Sequence, residues 1–131
     1  MNMYYEVLTP RTQEEAIEQL KEELAKVGFG VLWEINLKSK FNEKGLAYAY
    51  DFWVFEVCNP HLAIDVLNYD QKAGYMLPCK ICIYDSEEGL HVGLARPSQL
   101  IGLLQNSNEL EDVAKKVENI LMNVVDHFDI R

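Results

Sequence analysis

The chain has 131 residues, 49% of them apolar and 25% charged, which fits one packed domain and excludes disordered, collagen-like and low-complexity classes. Twelve basic side chains against 21 acidic ones leave a formal charge of −9, which repels phosphate backbones, so nucleic acid is not an expected partner. No run approaches the roughly 18 apolar residues of a membrane helix, and Met1 to Glu6 has no basic head before an apolar core, so no membrane partner is expected and the cytoplasm is the expected compartment.

Met3 to Leu8 reads as a first strand, ended by Thr9-Pro10, because proline supplies no ladder donor. A helix follows. Thr12 with Glu15 makes a capping box, Ala16, Ile17, Leu20, Leu24 and Val27 recur on one stripe, and Gly28 stops the run. From Val31 the period becomes two, with Val31, Trp33, Ile35 and Leu37 expected on one face. Ser39 to Gly45 reads as a loop. Tyr50 to Val57 is aromatic and β-branched on both alternating sets, which predicts a strand covered on both faces.

Asn59-Pro60 opens a short helix ending near Leu67, with Asn59 as cap and Pro60 at the first helical position, where its missing donor costs nothing. Pro78 to Tyr84 and Leu90 to Ala95 are extended runs around a hairpin-length turn, and Arg96 to Ser107 reads as a loop. The last element is a long helix whose apolar stripe runs from Leu110 to Phe128. The order strand, helix, strand, strand, short helix, strand, strand, long helix predicts an α+β domain, its sheet mostly antiparallel and its C-terminal helix packed across it. No linker or repeat divides the chain, so one domain over residues 1 to 131 is expected.

Three cysteines, Cys58, Cys79 and Cys82, are too few and odd in number for a stapled secreted framework, so free thiols in a reducing compartment are expected. Cys58-x-x-His61 followed by Cys79-x-x-Cys82 has the gaps of a zinc ribbon. However, residues three apart on a strand point to opposite faces, which separates Cys79 from Cys82 and weighs against both zinc and a thioredoxin-like dithiol. Cys58 stands just ahead of a helix start, where amide donors favour a thiolate, although most free cysteines are small buried hydrophobes. His91 should share a sheet face with Lys80, Cys82 and Tyr84, which makes a Cys82 and His91 pair conceivable with no third orienting group. Gly28-Phe29-Gly30 precedes a strand and is no dinucleotide loop.

Gly28-Phe29-Gly30-Val31-Leu32-x-Glu34-Ile35, Cys58-Asn59-Pro60-x-Leu62-Ala63 and Leu77-Pro78-Cys79-Lys80-Ile81-x-Ile83-Tyr84, in that order and spacing, resemble the small prokaryotic family DUF302. The resemblance implies an α+β fold with TBP-like arrangement and no established activity. It singles out Cys58, Asn59, Pro60 and Cys79 as signature positions. The chain departs from the family at Asn36, at Arg96-Pro97 and in its added Cys82. With Asn59 capping and Cys79 entering the core, Cys58 and Cys79 are expected to approach each other.

These features predict a non-catalytic binding or interaction module that forms a homodimer and takes a small-molecule ligand. Its outward sheet face carries Leu32, Phe52, Val54, Cys82 and Tyr84, more apolar surface than a solvated face needs. No catalytic residue, metal or cofactor is assigned. The alternative is a thiol-dependent redox or metal-handling protein using Cys58 and Cys79. An enzyme ranks last, because no nucleophile, base and orienter converge in the sequence.

Overall fold

The computed structural model describes residues 2 to 101 and 108 to 129. Its strands are β1 (Tyr4–Thr9), β2 (Gly30–Asn36), β3 (Phe52–Cys58), β4 (Cys79–Ser86) and β5 (Gly89–Ala95). Its α-helices are α1 (Gln13–Lys26), α2 (Leu37–Glu43), α3 (Pro60–Tyr69), α4 (Pro97–Ile101) and α5 (Asn108–Asp126), and a 3-10 helix spans Gln71–Met76. The strands form one sheet in the order β1-β5-β4-β3-β2, every neighbouring pair antiparallel. The fold is therefore the expected α+β class.

Local signals place the first helix. Thr12 accepts from the Glu15 amide while the Glu15 carboxylate accepts from the Thr12 amide, so two orphan donors are satisfied reciprocally. Ala16, Leu20 and Leu24 then bury fully against the sheet. Gly28, at φ +81°, releases the chain into β2.

The core lies between one sheet face and the pair α1 and α5. Phe55, Val57, Ile81, Ile83 and Val92 supply the sheet side, and Leu121, Val124, Val125 and Phe128 the α5 side. The register fixes this face, since Phe55 lies opposite Ile81, and Ile83 opposite Val92.

Three expectations are corrected. A β-bulge between Val31 and Trp33 adds a residue, so Trp33 pairs with Glu56 and Ile35 with Val54. Trp33 and Ile35 thereby leave the helix-covered face that Val31 occupies, and Glu34 takes their side, where Lys21 of α1 binds its carboxylate at 2.8 Å. The segment expected as a loop from Ser39 is α2 as far as Glu43, because the Asn36 side chain accepts from the Lys38 amide and caps it. The Asn36 Oδ1 also accepts from the Phe52 amide, tying this corner to β3. In the other expected loop Pro97–Ile101 is helical, and residues 102 to 107 lie outside the described residues.

One acidic residue of the last helix, Glu118, is removed from solvent. It is buried within α5, where its carboxylate accepts from the Arg96 guanidinium at 3.2 Å and from the Ser98 hydroxyl at 2.7 Å. This charge-assisted network fastens α4 to α5.

Candidate functional site

The chain turns sharply where β3 ends. Cys58 is its last residue, and the Asn59 side chain accepts from the amides of His61 at 3.0 Å and Leu62 at 3.2 Å. Pro60 follows at the first helical position, so the turn wastes no donor. Asn59→Ala is expected to cost about 1 kcal/mol in urea unfolding, the usual effect of losing a helix cap. Gly28 packs beside this turn: a Cβ there would stand 3.0 Å from Asn59 Nδ2.

Cys79 begins β4 directly opposite Val57, on the helix-covered face. It follows a cis Leu77–Pro78 peptide at the end of the 3-10 helix. The signature residues thus meet. Cys58, Asn59, Met76 and Cys79 line one small cavity of about 30 Å³, whose other walls are aliphatic side chains, most of them from α3, α4 and α5. That is space for a water or two, or for a monatomic ion, and is too small for an organic molecule. A second, open cleft of about 350 Å³ lies alongside and shares Met76, Leu77, Cys79 and Pro97 as a common wall. Its rim carries Tyr75 and the cross-strand pair Glu56 and Lys80.

Burial governs the thiols. It is the larger cause, with the charge of Cys58 the smaller, that pushes Cys79 up from an ordinary value near 9 to about 11. Burial likewise raises Cys58, and takes Cys82 to about 11. All three are therefore neutral thiols at pH 7, and the helix start does not make Cys58 a thiolate. With iodoacetamide at pH 8, Cys58 is expected to alkylate first, Cys79 and Cys82 lagging by at least about tenfold, read by mass spectrometry of tryptic peptides. Because the folded pKa values of Cys79 and Cys82 exceed the unfolded ones, their contribution to stability is complete below about pH 8. It is lost as the pH rises toward 11.

Cys82 lies elsewhere. It pairs with Gly93 on the sheet face turned away from α1 and α5, so Cys79 and Cys82 occupy opposite faces, as the extended run requires. His61 is exposed at the start of α3 and does not line the cavity.

His91 is not paired with Cys82. It lies opposite Tyr84, and the two rings stack with centroids 4.4 Å apart. His91 Nε2 is 2.6 Å from Ser86 Oγ, its Nδ1 is 3.4 Å from a Glu6 carboxylate oxygen, and the Tyr84 hydroxyl donates to the other Glu6 oxygen at 2.6 Å. Burial, then this bond to Glu6, raises the Tyr84 pKa. Sequence reasoning missed this network because Glu6 arrives from β1, the opposite end of the chain. The Ser86 hydroxyl also accepts from the Glu88 amide at 3.1 Å, which holds it in the hairpin turn.

A family profile described as "Domain of unknown function DUF302" matches residues 5–128. The chain is similar to a solved protein described as "uncharacterized conserved protein DUF302 from Bacillus stearothermophilus", at 35% identity and a TM-score of 0.93, covering 98% of this chain and 99% of that one. No curated protein matches the chain.

Proposed function

Since the chain belongs to the DUF302 family, whose description carries no activity, we propose from its own geometry that it is a non-catalytic binding module. It takes its ligand where Cys58-Asn59-Pro60 and Cys79 converge, and it pairs as a homodimer through the uncovered sheet face. The observation that carries the ligand half is the small, largely apolar cavity that shares a wall with a larger cleft. The cleft has the size and the mixed lining of a small-molecule site, apolar at its floor with a few polar groups at its rim. Neutral thiols suit binding and work against nucleophilic redox chemistry. Their meeting on one cavity favours the second reading, metal handling, over thiol exchange.

The dimer half is supported by the bulge, which turns Trp33 and Ile35 toward the face that already holds Phe52, Cys82 and Tyr84. Trp33 is 50% and Leu32 63% exposed, an aromatic and aliphatic patch of the kind that partners cover. Native mass spectrometry of protein purified without tag or chelator tests both halves. A dimer mass carrying a retained small ligand is expected, and Trp33→Glu is expected to return monomer by sedimentation at micromolar concentration. A wild-type monomer sinks the dimer half. A bare mass that also shifts with no compound in a thermal screen sinks the ligand half.

A further inference from the structure

We infer that Cys58, Cys79 and Met76 form a site for one soft monovalent d10 cation of the copper(I) class, seated in the small cavity between β3, β4 and α3. This rests on the reading of the region as the ligand site and names the ligand class of its inner part.

Size decides first. A space of about 30 Å³ admits a single ion and no organic group. Donor chemistry decides next. Of the residues on the wall, those whose side chains carry an atom other than carbon are Cys58, Cys79, Met76 and Asn59. The Asn59 oxygen is already occupied by two helix amides. Two thiols and a thioether remain, a set that soft cations prefer. Among the described residues no cluster of three or more His, Cys, Asp and Glu could hold a metal, so zinc and calcium, whose protein sites draw on about three or more such donors, are not served. A d10 monovalent ion is stable with two or three sulfurs. Cys82, across the sheet, takes no part.

Binding involves no redox change. Both sulfurs form bonds to the cation, both S–H bonds break, two protons leave to solvent, and Met76 adds a sulfur lone pair. The resulting complex carries one negative charge, beside the N-terminus of the ten-residue α3, whose dipole favours it. The cavity wall carries no charged side chain, and the groups facing Cys79 from the adjoining cleft are Glu56 and Lys80, of opposite sign. Because binding releases two protons, affinity rises with pH, by up to about 100-fold per unit.

The test is anaerobic titration of the full chain against the copper(I) complex of bicinchoninate, repeated with silver(I). One equivalent is expected to be withdrawn. Cys58→Ala and Cys79→Ala are each expected to weaken binding at least about 100-fold, and Met76→Leu, which keeps the apolar volume, about 10-fold. Cys82→Ala is expected to leave it unchanged. Should a cysteine variant fail to fold by circular dichroism, the Met76→Leu ratio and the two-proton pH slope decide in its place. Failure of the wild type to withdraw copper, binding that survives loss of both Cys58 and Cys79, or equal loss in Cys82→Ala would overturn the inference. A retained or screened organic ligand without copper binding defeats this inference and leaves the binding module standing, whereas neither defeats both.

Discussion

Gly93→Ala is expected to destabilise the protein by about 3 kcal/mol, at the upper end of the usual overpacking range. Gly93 lies in β5 opposite Glu6 of the edge strand β1. A Cβ there would stand 2.6 Å from the Glu6 Cβ and 2.9 Å from the Tyr5 carbonyl oxygen. Both are fixed by the β1 backbone, so no side-chain rotation relieves the clash and the whole edge strand must shift. That movement would also pull Glu6 from Tyr84 and His91. The measurement is the urea midpoint at constant slope. Combining Gly93→Ala with Glu6→Gly, which removes the nearer obstacle, is expected to recover part of the loss. A single mutant within about 0.5 kcal/mol of wild type would show that β1 does not approach β5 as described.

Phe55→Ala should cost still more, about 3 to 5 kcal/mol, the range for deleting a fully buried aromatic. Its ring is fully buried at the centre of β3, stacked with Trp53 at 6.0 Å between centroids. The space it leaves is walled by β-sheet neighbours and α1, which cannot collapse into it without breaking the ladder. Leu32→Ala, at a position 63% exposed, is the control and is expected to stay within about 0.5 kcal/mol. Equal effects at the two positions would place the core on the wrong side of the sheet.

Much of this architecture was legible in the residues because local and tertiary signals agree. The Thr12 and Glu15 capping box, the Asn59-Pro60 start and the α5 stripe each satisfy backbone groups and bury one face at once. The hairpin of β4 and β5 followed from alternation alone, which also put Cys79 inside and Cys82 outside. The misses share a cause: each depends on a partner distant in sequence. The bulge after Val31 leaves an alternating pattern intact while reversing which set is covered, and only pairing with β3 reveals it. Glu118 looks like any acidic residue on a helix until Arg96 and Ser98 are packed against it. Ser39 to Glu43 carries little apolar pattern, and the helix exists because Asn36 caps it while bonding to β3.

At the candidate site the turn chemistry of Asn59 and Pro60 was readable, and the family resemblance marked Cys79. Met76 was not singled out, since a methionine next to Leu77 gives no signal beyond apolarity. The walls of the cavity come from six separate elements, β3, α3, the 3-10 helix, β4, α4 and α5, and no spacing rule links them.

Convergence of Cys58 and Cys79 on one cavity, with Cys82 across the sheet, is tested most directly by a short bis-alkylating thiol reagent applied to folded protein at pH 9. Trypsin cleavage after Lys80 places the three thiols on separate peptides. A crosslinked pair joining the Cys58 and Cys79 peptides is the expected product, with Cys82 recovered singly modified. A link from Cys82 to either of the others, with none between Cys58 and Cys79, would contradict the site.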